Sequence, residues 1–161
     1  MRLRFVFLLF ALGCGLAQET HAQATIFIVR HAEKATSGDP KDPDLSDAGR
    51  VRAEALATTL RDADIKAIYV SEFKRSRQTA EPLARVRNID IRTVAAKESG
   101  SLLEQLKEAS GNVLVVGHSN TIPEILKSFG LAADVVITDE DYDNLFVVVP
   151  GAPPQLLRLH F

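Results

Sequence analysis

The sequence predicts an α/β fold, and three observations predict it. Short apolar runs with the β-branched composition of buried strands recur along the chain, among them Ile26-Phe27-Ile28-Val29 and Val113-Leu114-Val115-Val116. Stretches with helical spacing of apolar residues separate them. From residue 25 onward the two patterns alternate, as they do when helices cover a sheet. The chain has 161 residues, enough for one domain with its own core, and no linker-like tract divides it.

The first segment stands apart. Arg2 and Arg4 precede an apolar run from Phe5 to Leu12, and Ala22-Gln23-Ala24 supplies an A-x-A cleavage pattern. Residues 1–24 therefore read as a leader cleaved after Ala24, with Ala17 as the second choice, leaving one domain over 25–161. The run is too short for a bilayer, which takes about 20 apolar residues, so no membrane span is expected once the leader is removed. Cys14 raises a lipoprotein anchor, but Ala11 stands three positions before it where such sites carry leucine. The expected location is periplasmic or secreted. Cys14 is the chain's sole cysteine, and losing it removes thiol catalysis, disulfides and cysteine–metal sites together.

The remaining elements follow in order. A strand over 25–29 ends at Arg30-His31. Gly38-Asp39-Pro40-Lys41-Asp42-Pro43-Asp44 is a loop, because its prolines and turn formers forbid a regular element. A helix over 46–62 places Val51, Ala55, Leu56, Thr59 and Leu60 on one face. A strand over 66–70 leads to a helix over 74–86, then come a strand over 89–94 and a helix over 101–109 opened by Ser101. The strand over 112–116 ends at Gly117-His118. Thr121-Ile122-Pro123-Glu124 reads as a capping box opening a helix over 121–129, with proline tolerated in the first turn. Strands over 144–149 and 155–160 close the chain.

Two of these strand ends carry chemistry. Open α/β sheets hold their ligands at the carboxyl ends of their strands. A charged arginine is costly to bury without an anion, and its planar fork of donors fits phosphate oxygens. A neutral imidazole is a nucleophile near neutral pH. Arg30 beside His31 at one strand end, with His118 at another, suggests phosphoryl transfer through a histidine. A formal charge of −2 gives no basic surface for nucleic acid. No H-x-H or H-E-x-x-H pattern marks a metallohydrolase.

Four segments resemble the histidine phosphatase superfamily, the phosphoglycerate-mutase-like enzymes, in order and spacing across roughly residues 25–150. They are Arg30-His31-Ala32-Glu33, Leu45-Ser46-Asp47-Ala48-Gly49-Arg50, Ser71-Glu72-Phe73-Lys74-Arg75-Ser76-Arg77-Gln78-Thr79-Ala80 and Gly117-His118-Ser119-Asn120. The resemblance implies a three-layer sandwich, a mixed and mostly parallel sheet with helices on both faces. It implies a phosphatase without metal or cofactor, acting on a small phosphorylated substrate or a phosphoprotein. His31 would be the nucleophile that becomes phosphohistidine. Arg30, Arg75 and His118 would bind the phosphoryl oxygens, His118 as a donor whose charge state stays open, with Asn120 as a further donor.

Where the general acid should lie, Ala96-Lys97-Glu98-Ser99 departs from the longer segment of the larger relatives. Glu98 and Glu33 are the two candidates, and compact relatives without a dedicated acid suit substrates with good leaving groups. Arg77 is set aside as a surface partner of Glu81, four residues on. Asp139-Glu140-Asp141-Tyr142-Asp143 lacks the glycine and terminal glutamate of an EF-hand and reads as a solvated loop. His160 is given no role, and His21 leaves with the leader.

Three rival readings remain. A phosphate-binding module of the same fold would have no use for a nucleophile at His31. A serine hydrolase would use Ser119 in an elbow-like Gly117–Thr121, but Thr121 stands where glycine is needed and only His160 could complete a triad. A mutase would need lid-building insertions that residues 25–161 lack.

Overall fold

The computed structural model describes residues 24–131 and 135–161; apart from Ala24, the segment read as a leader lies outside them. Ten elements follow in chain order: β1 (Ile26–Arg30), α1 (Asp47–Thr59), β2 (Ile65–Val70), α2 (Lys74–Arg87), β3 (Ile91–Thr93), α3 (Ser99–Lys107), β4 (Asn112–Gly117), α4 (Thr121–Ser128), β5 (Asn144–Val149) and β6 (Gln155–His160). The strands form one sheet in the order β3-β2-β4-β1-β5-β6. β3, β2, β4 and β1 run parallel, and β5 and β6 extend the sheet antiparallel.

Period-two alternation turns each central strand into a two-faced wall. Val29, Leu114, Val116, Leu145 and Val147 join one core with Leu56 of α1, Leu60 at its end and Leu83 of α2. Ile26, Ile28, Val113, Val115, Phe146 and Val148 join a second with Leu106, Ile122, Ile125 and Leu126 from α3 and α4. The molecule is thus a three-layer α/β sandwich with a mixed, mostly parallel sheet. Burial of both faces explains why the central strands read as continuous apolar runs.

Four local expectations need correction. The buried face of α1 is Ala53, Leu56 and Ala57, followed by Leu60, whereas Val51 is 71% exposed. Ala57 packs into the core beneath the sheet and Ala53 against Ala32 and Leu45, so small side chains fill the close contacts of this face. The expected strand over 89–94 shrinks to β3. Asn88 ends α2 in the left-handed region at φ 53°, and the Ile89 N–H bonds back to the Ala84 carbonyl, so Ile89 belongs to the helix end. Thr121 does not cap α4, because its hydroxyl instead accepts from the His118 N–H at 2.9 Å. Likewise α3 begins at Ser99, ahead of Ser101.

The topology creates the crevice. β1 and β4 lie side by side, with Arg30 opposite Gly117, and the His31 N–H donates to the Gly117 carbonyl at 3.0 Å. From these two ends the chain departs to opposite faces, toward α1 after β1 and toward α4 after β4. Such a divergence opens a cleft at the strands' carboxyl ends.

Candidate active site

Arg30, His31, Ser71 and His118 are all buried at those strand ends, none more than 8% exposed. Arg30, His31, Arg75 and His118 line one pocket together with Lys34, Phe73, Ala96, Ser119, Asn120 and Asp139. Residues from positions 30 to 139 converge there because β1, β2 and β4 end together.

His31 is anchored through one ring nitrogen. Its Nδ1 lies 2.8 Å from the Ala32 carbonyl, which can only accept, so Nδ1 carries the proton and Nε2 keeps its lone pair. The loop is fixed from α2: the Ala32 N–H donates to the Thr79 hydroxyl at 2.9 Å, and that hydroxyl donates to the Arg75 carbonyl at 2.7 Å. Burial, and then the neighbouring His118, Arg75 and Arg30, push the His31 pKa down to about 3, although the Ala32 contact opposes the shift. The imidazole is therefore neutral at physiological pH.

His118 stands 5.2 Å from His31 between ring centroids. Its Nε2 is 2.8 Å from the Ser71 hydroxyl, which donates onward to Ser76 at 2.7 Å. That relay assigns the proton to Nε2 and leaves Nδ1 as the second, unprotonated nitrogen. Burial first, then Arg75, lowers its pKa to about 4.

Each arginine rests on an aromatic ring. The Arg30 guanidinium carbon lies 4.3 Å from the Tyr142 ring centroid and that of Arg75 lies 4.2 Å from Phe73. Arg30 donates through Nη1 to the Thr138 carbonyl at 2.7 Å and through Nη2 to Asp139 at 3.2 Å. The Nε atoms of Arg30 and Arg75 are buried without a partner among the described residues. Two guanidiniums and a neutral histidine line the same pocket, and their positive charge suits an anion.

The two carboxylates considered as acids lie elsewhere. Glu33 is held by Arg52, at 2.7 Å from Nη2 and 2.9 Å from Nε, and this partner keeps its carboxyl below the usual range against the cost of burial. Glu98 is exposed just before α3 and is absent from the pocket lining. Ser119 is half-buried at the mouth, while His160 pairs with Asp143 at 3.2 Å on β6 and does not line the pocket.

Asp139 and Tyr142 were read from sequence as parts of a solvated loop, yet both touch Arg30. No signal in the sequence links them to an arginine more than a hundred residues away. Ser71 and Thr79 were quoted only inside a motif, and their support of His118 and of the His31 loop is visible only in the fold. Among the described residues no group of three or more His, Cys, Asp or Glu is arranged to hold a metal, and no helix is long and apolar enough to cross a membrane.

Comparison with known proteins gives three kinds of likeness. Residues 26–98 match the family model of the histidine phosphatase superfamily, branch 1. The "Probable phosphatase C1620.13" of Schizosaccharomyces pombe is 31% identical over 81 residues, which are 47% of this chain and 29% of that protein. This chain thus spans less than a third of that relative's length. A structure assigned to the phosphohistidine phosphatase SixA of Agrobacterium tumefaciens superposes with a TM-score of 0.67 at 24% identity, over 86% of this chain and 99% of that one. The protein histidine phosphatase SixA in complex with tungstate gives 0.67 at 17% identity, over 84% and 96%. A mycobacterial glucosyl-3-phosphoglycerate phosphatase complexed with VO3 gives 0.66 at 12% identity, over 86% and 98%. At such identities the likeness establishes the shared fold.

Proposed function

We propose that this chain is a phosphatase of the histidine phosphatase superfamily, whose family model matches residues 26–98. The observation that carries the reading is His31: buried, neutral, anchored through Nδ1, and set beside two guanidiniums with unpartnered Nε atoms. Its Nε2 lone pair attacks phosphorus as the bond to the leaving group breaks, giving phosphohistidine. Arg30, Arg75 and His118 hold the equatorial oxygens, where the transferring group spreads its charge. The leaving group departs with the bonding electron pair and takes a proton from solvent. A water molecule then attacks phosphorus, the P–N bond breaks, and neutral His31 is restored with release of phosphate.

An arriving phosphate changes the balance at His118. Its negative charge offsets the two arginines, so the imidazole takes up a proton at Nδ1 and donates to an oxygen. No metal takes part in this scheme. The carboxylate in the pocket lining, Asp139, is paired with Arg30 and Glu33 is held by Arg52, which points to phosphorylated substrates with good leaving groups, small molecules or phosphoproteins. Phosphatase is preferred to mutase because residues 25–161 lack lid-building insertions. The leader reading of residues 1–24 adds export, to the periplasm or medium; the amino-terminal sequence of the mature protein checks it, with Thr25 expected first.

The test is hydrolysis of p-nitrophenyl phosphate by the protein in EDTA, beside His31→Ala. Turnover in the wild type that vanishes in a folded variant is expected. Activity surviving in His31→Ala would sink the mechanism. A folded wild type that binds phosphate without turnover would favour the binding-module reading.

A further inference from the structure

We propose that Tyr142 is a positioning residue for the phosphoryl-binding site and acts through Arg30. The inference rests on the reading of Arg30 as a phosphoryl ligand.

Arg30 is 5% exposed and extends from the end of β1 into a cleft where a guanidinium has few ways to be held. One amine is fixed by a backbone carbonyl, that of Thr138. Its other partner, Asp139, has a side chain 94% exposed, where water competes for the contact. The remaining restraint is the Tyr142 ring, with the guanidinium carbon 4.3 Å from its centroid. A cation over an aromatic face gains most when both are removed from water, as here on the arginine side. Tyr142 does not line the pocket, and its ring centroid lies 6.3 Å from that of His31. It is placed to orient Arg30 and not to touch substrate.

The contact also explains why Arg30 keeps a free Nε. A planar group stacked on a ring and tied at Nη1 cannot swing to satisfy its third nitrogen elsewhere. The Nε itself is buried and unpaired among the described residues. Residues 138–142 thus form a short bracket that supplies a carbonyl and a ring to one arginine.

The test measures inorganic phosphate binding by calorimetry and p-nitrophenyl phosphate kinetics for the wild type, Tyr142→Phe and Tyr142→Leu, each with a thermal melt. Phenylalanine keeps the ring and should retain wild-type values. Leucine keeps apolar cover without the ring and should weaken phosphate binding and raise KM about tenfold. In an Arg30→Lys background, Tyr142→Leu should add no further loss, since a residue acting through Arg30 has nothing left to position. Equal phosphate affinity in Tyr142→Leu and the wild type would overturn the proposal, as would full additivity with Arg30→Lys. A loss in Tyr142→Phe equal to that in leucine would assign the effect to the hydroxyl and also overturn it. Failure of the wild type to bind phosphate at all would instead remove the phosphatase reading beneath it.

Discussion

Two imidazoles held neutral inside a cationic pocket tie the proposed catalytic site to stability. His31 and His118 titrate near 3 and 4 in the folded protein against an ordinary 6.5, chiefly because burial penalises the charged form. The unfolded chain therefore binds more protons than the folded one between about pH 6.5 and the folded values. Stability is fully present above 6.5 and falls as pH falls through that window, by up to about 1.4 kcal/mol per pH unit for each histidine. Urea midpoints from pH 7.5 to 5 should show this decline, and His31→Gln with His118→Gln should flatten it. A flat wild-type profile over that range would contradict the assignment. Saturating phosphate should also reduce the slope, because a bound anion favours protonated His118.

At the residue scale the sequence was informative where chemistry is local. Arg30 and His31 are neighbours in the chain, and His118 follows a strand of the same kind, so their position could be read from order alone. Arg75 was legible only through the resemblance. Glu33 shows the limit: two residues from His31, it looked available as an acid, but its carboxylate is taken up by Arg52 from α1. Asp139 shows the reverse, a charge in a polar loop that meets Arg30 in the fold. Periodicity and composition are blind to partners so far apart.

Among the elements, α1 does the least expected work. Its N-cap Ser46 accepts from the Gly49 N–H at 3.1 Å, and the Ser46 N–H donates to the Glu33 carbonyl at 2.9 Å. This first turn is pressed against the loop that follows His31. A methyl group at Gly49 would collide with the Glu33 carbonyl oxygen, which is already committed to Ser46 and cannot yield cheaply. Gly49→Ala should therefore destabilise the protein by about 1–3 kcal/mol by urea titration, against the stabilisation that alanine ordinarily brings to a helix. A gain in stability would show that the loop adapts. The hydrophobic pattern of α1 misled because Val51, its first bulky residue, faces solvent while two alanines are buried. Central strands suffered no such ambiguity, since both of their faces are covered.

For the whole molecule, the open cleft and the engaged carboxylates set a chemical preference. General acid catalysis supplies about 10²–10⁴-fold where it operates. With Asp139, the carboxylate in the pocket lining, paired with Arg30, p-nitrophenyl phosphate should turn over at least about a hundredfold faster than an alkyl phosphate such as glycerol phosphate. Comparable kcat/KM for the two would reveal a proton donor that the lining residues do not supply. The architecture itself was largely legible, because alternating strands and helices leave few ways to cover a sheet. The antiparallel arrival of β5 and β6 was not visible in the local pattern, as a strand's direction leaves no mark on its composition.

The strand order has a consequence for how the molecule comes into being. β1 and β2 are made first, yet they are never neighbours, because β4 separates them. The first hundred residues hold His31, Arg30 and Arg75 but cannot bring them to one sheet. Only when β4 slides between its elders does the cleft acquire a floor, and the same strand delivers His118. The emerging chain thus carries its proposed nucleophile for most of synthesis without a place to use it, until β4 joins the two halves of the sheet and brings His118 beside it.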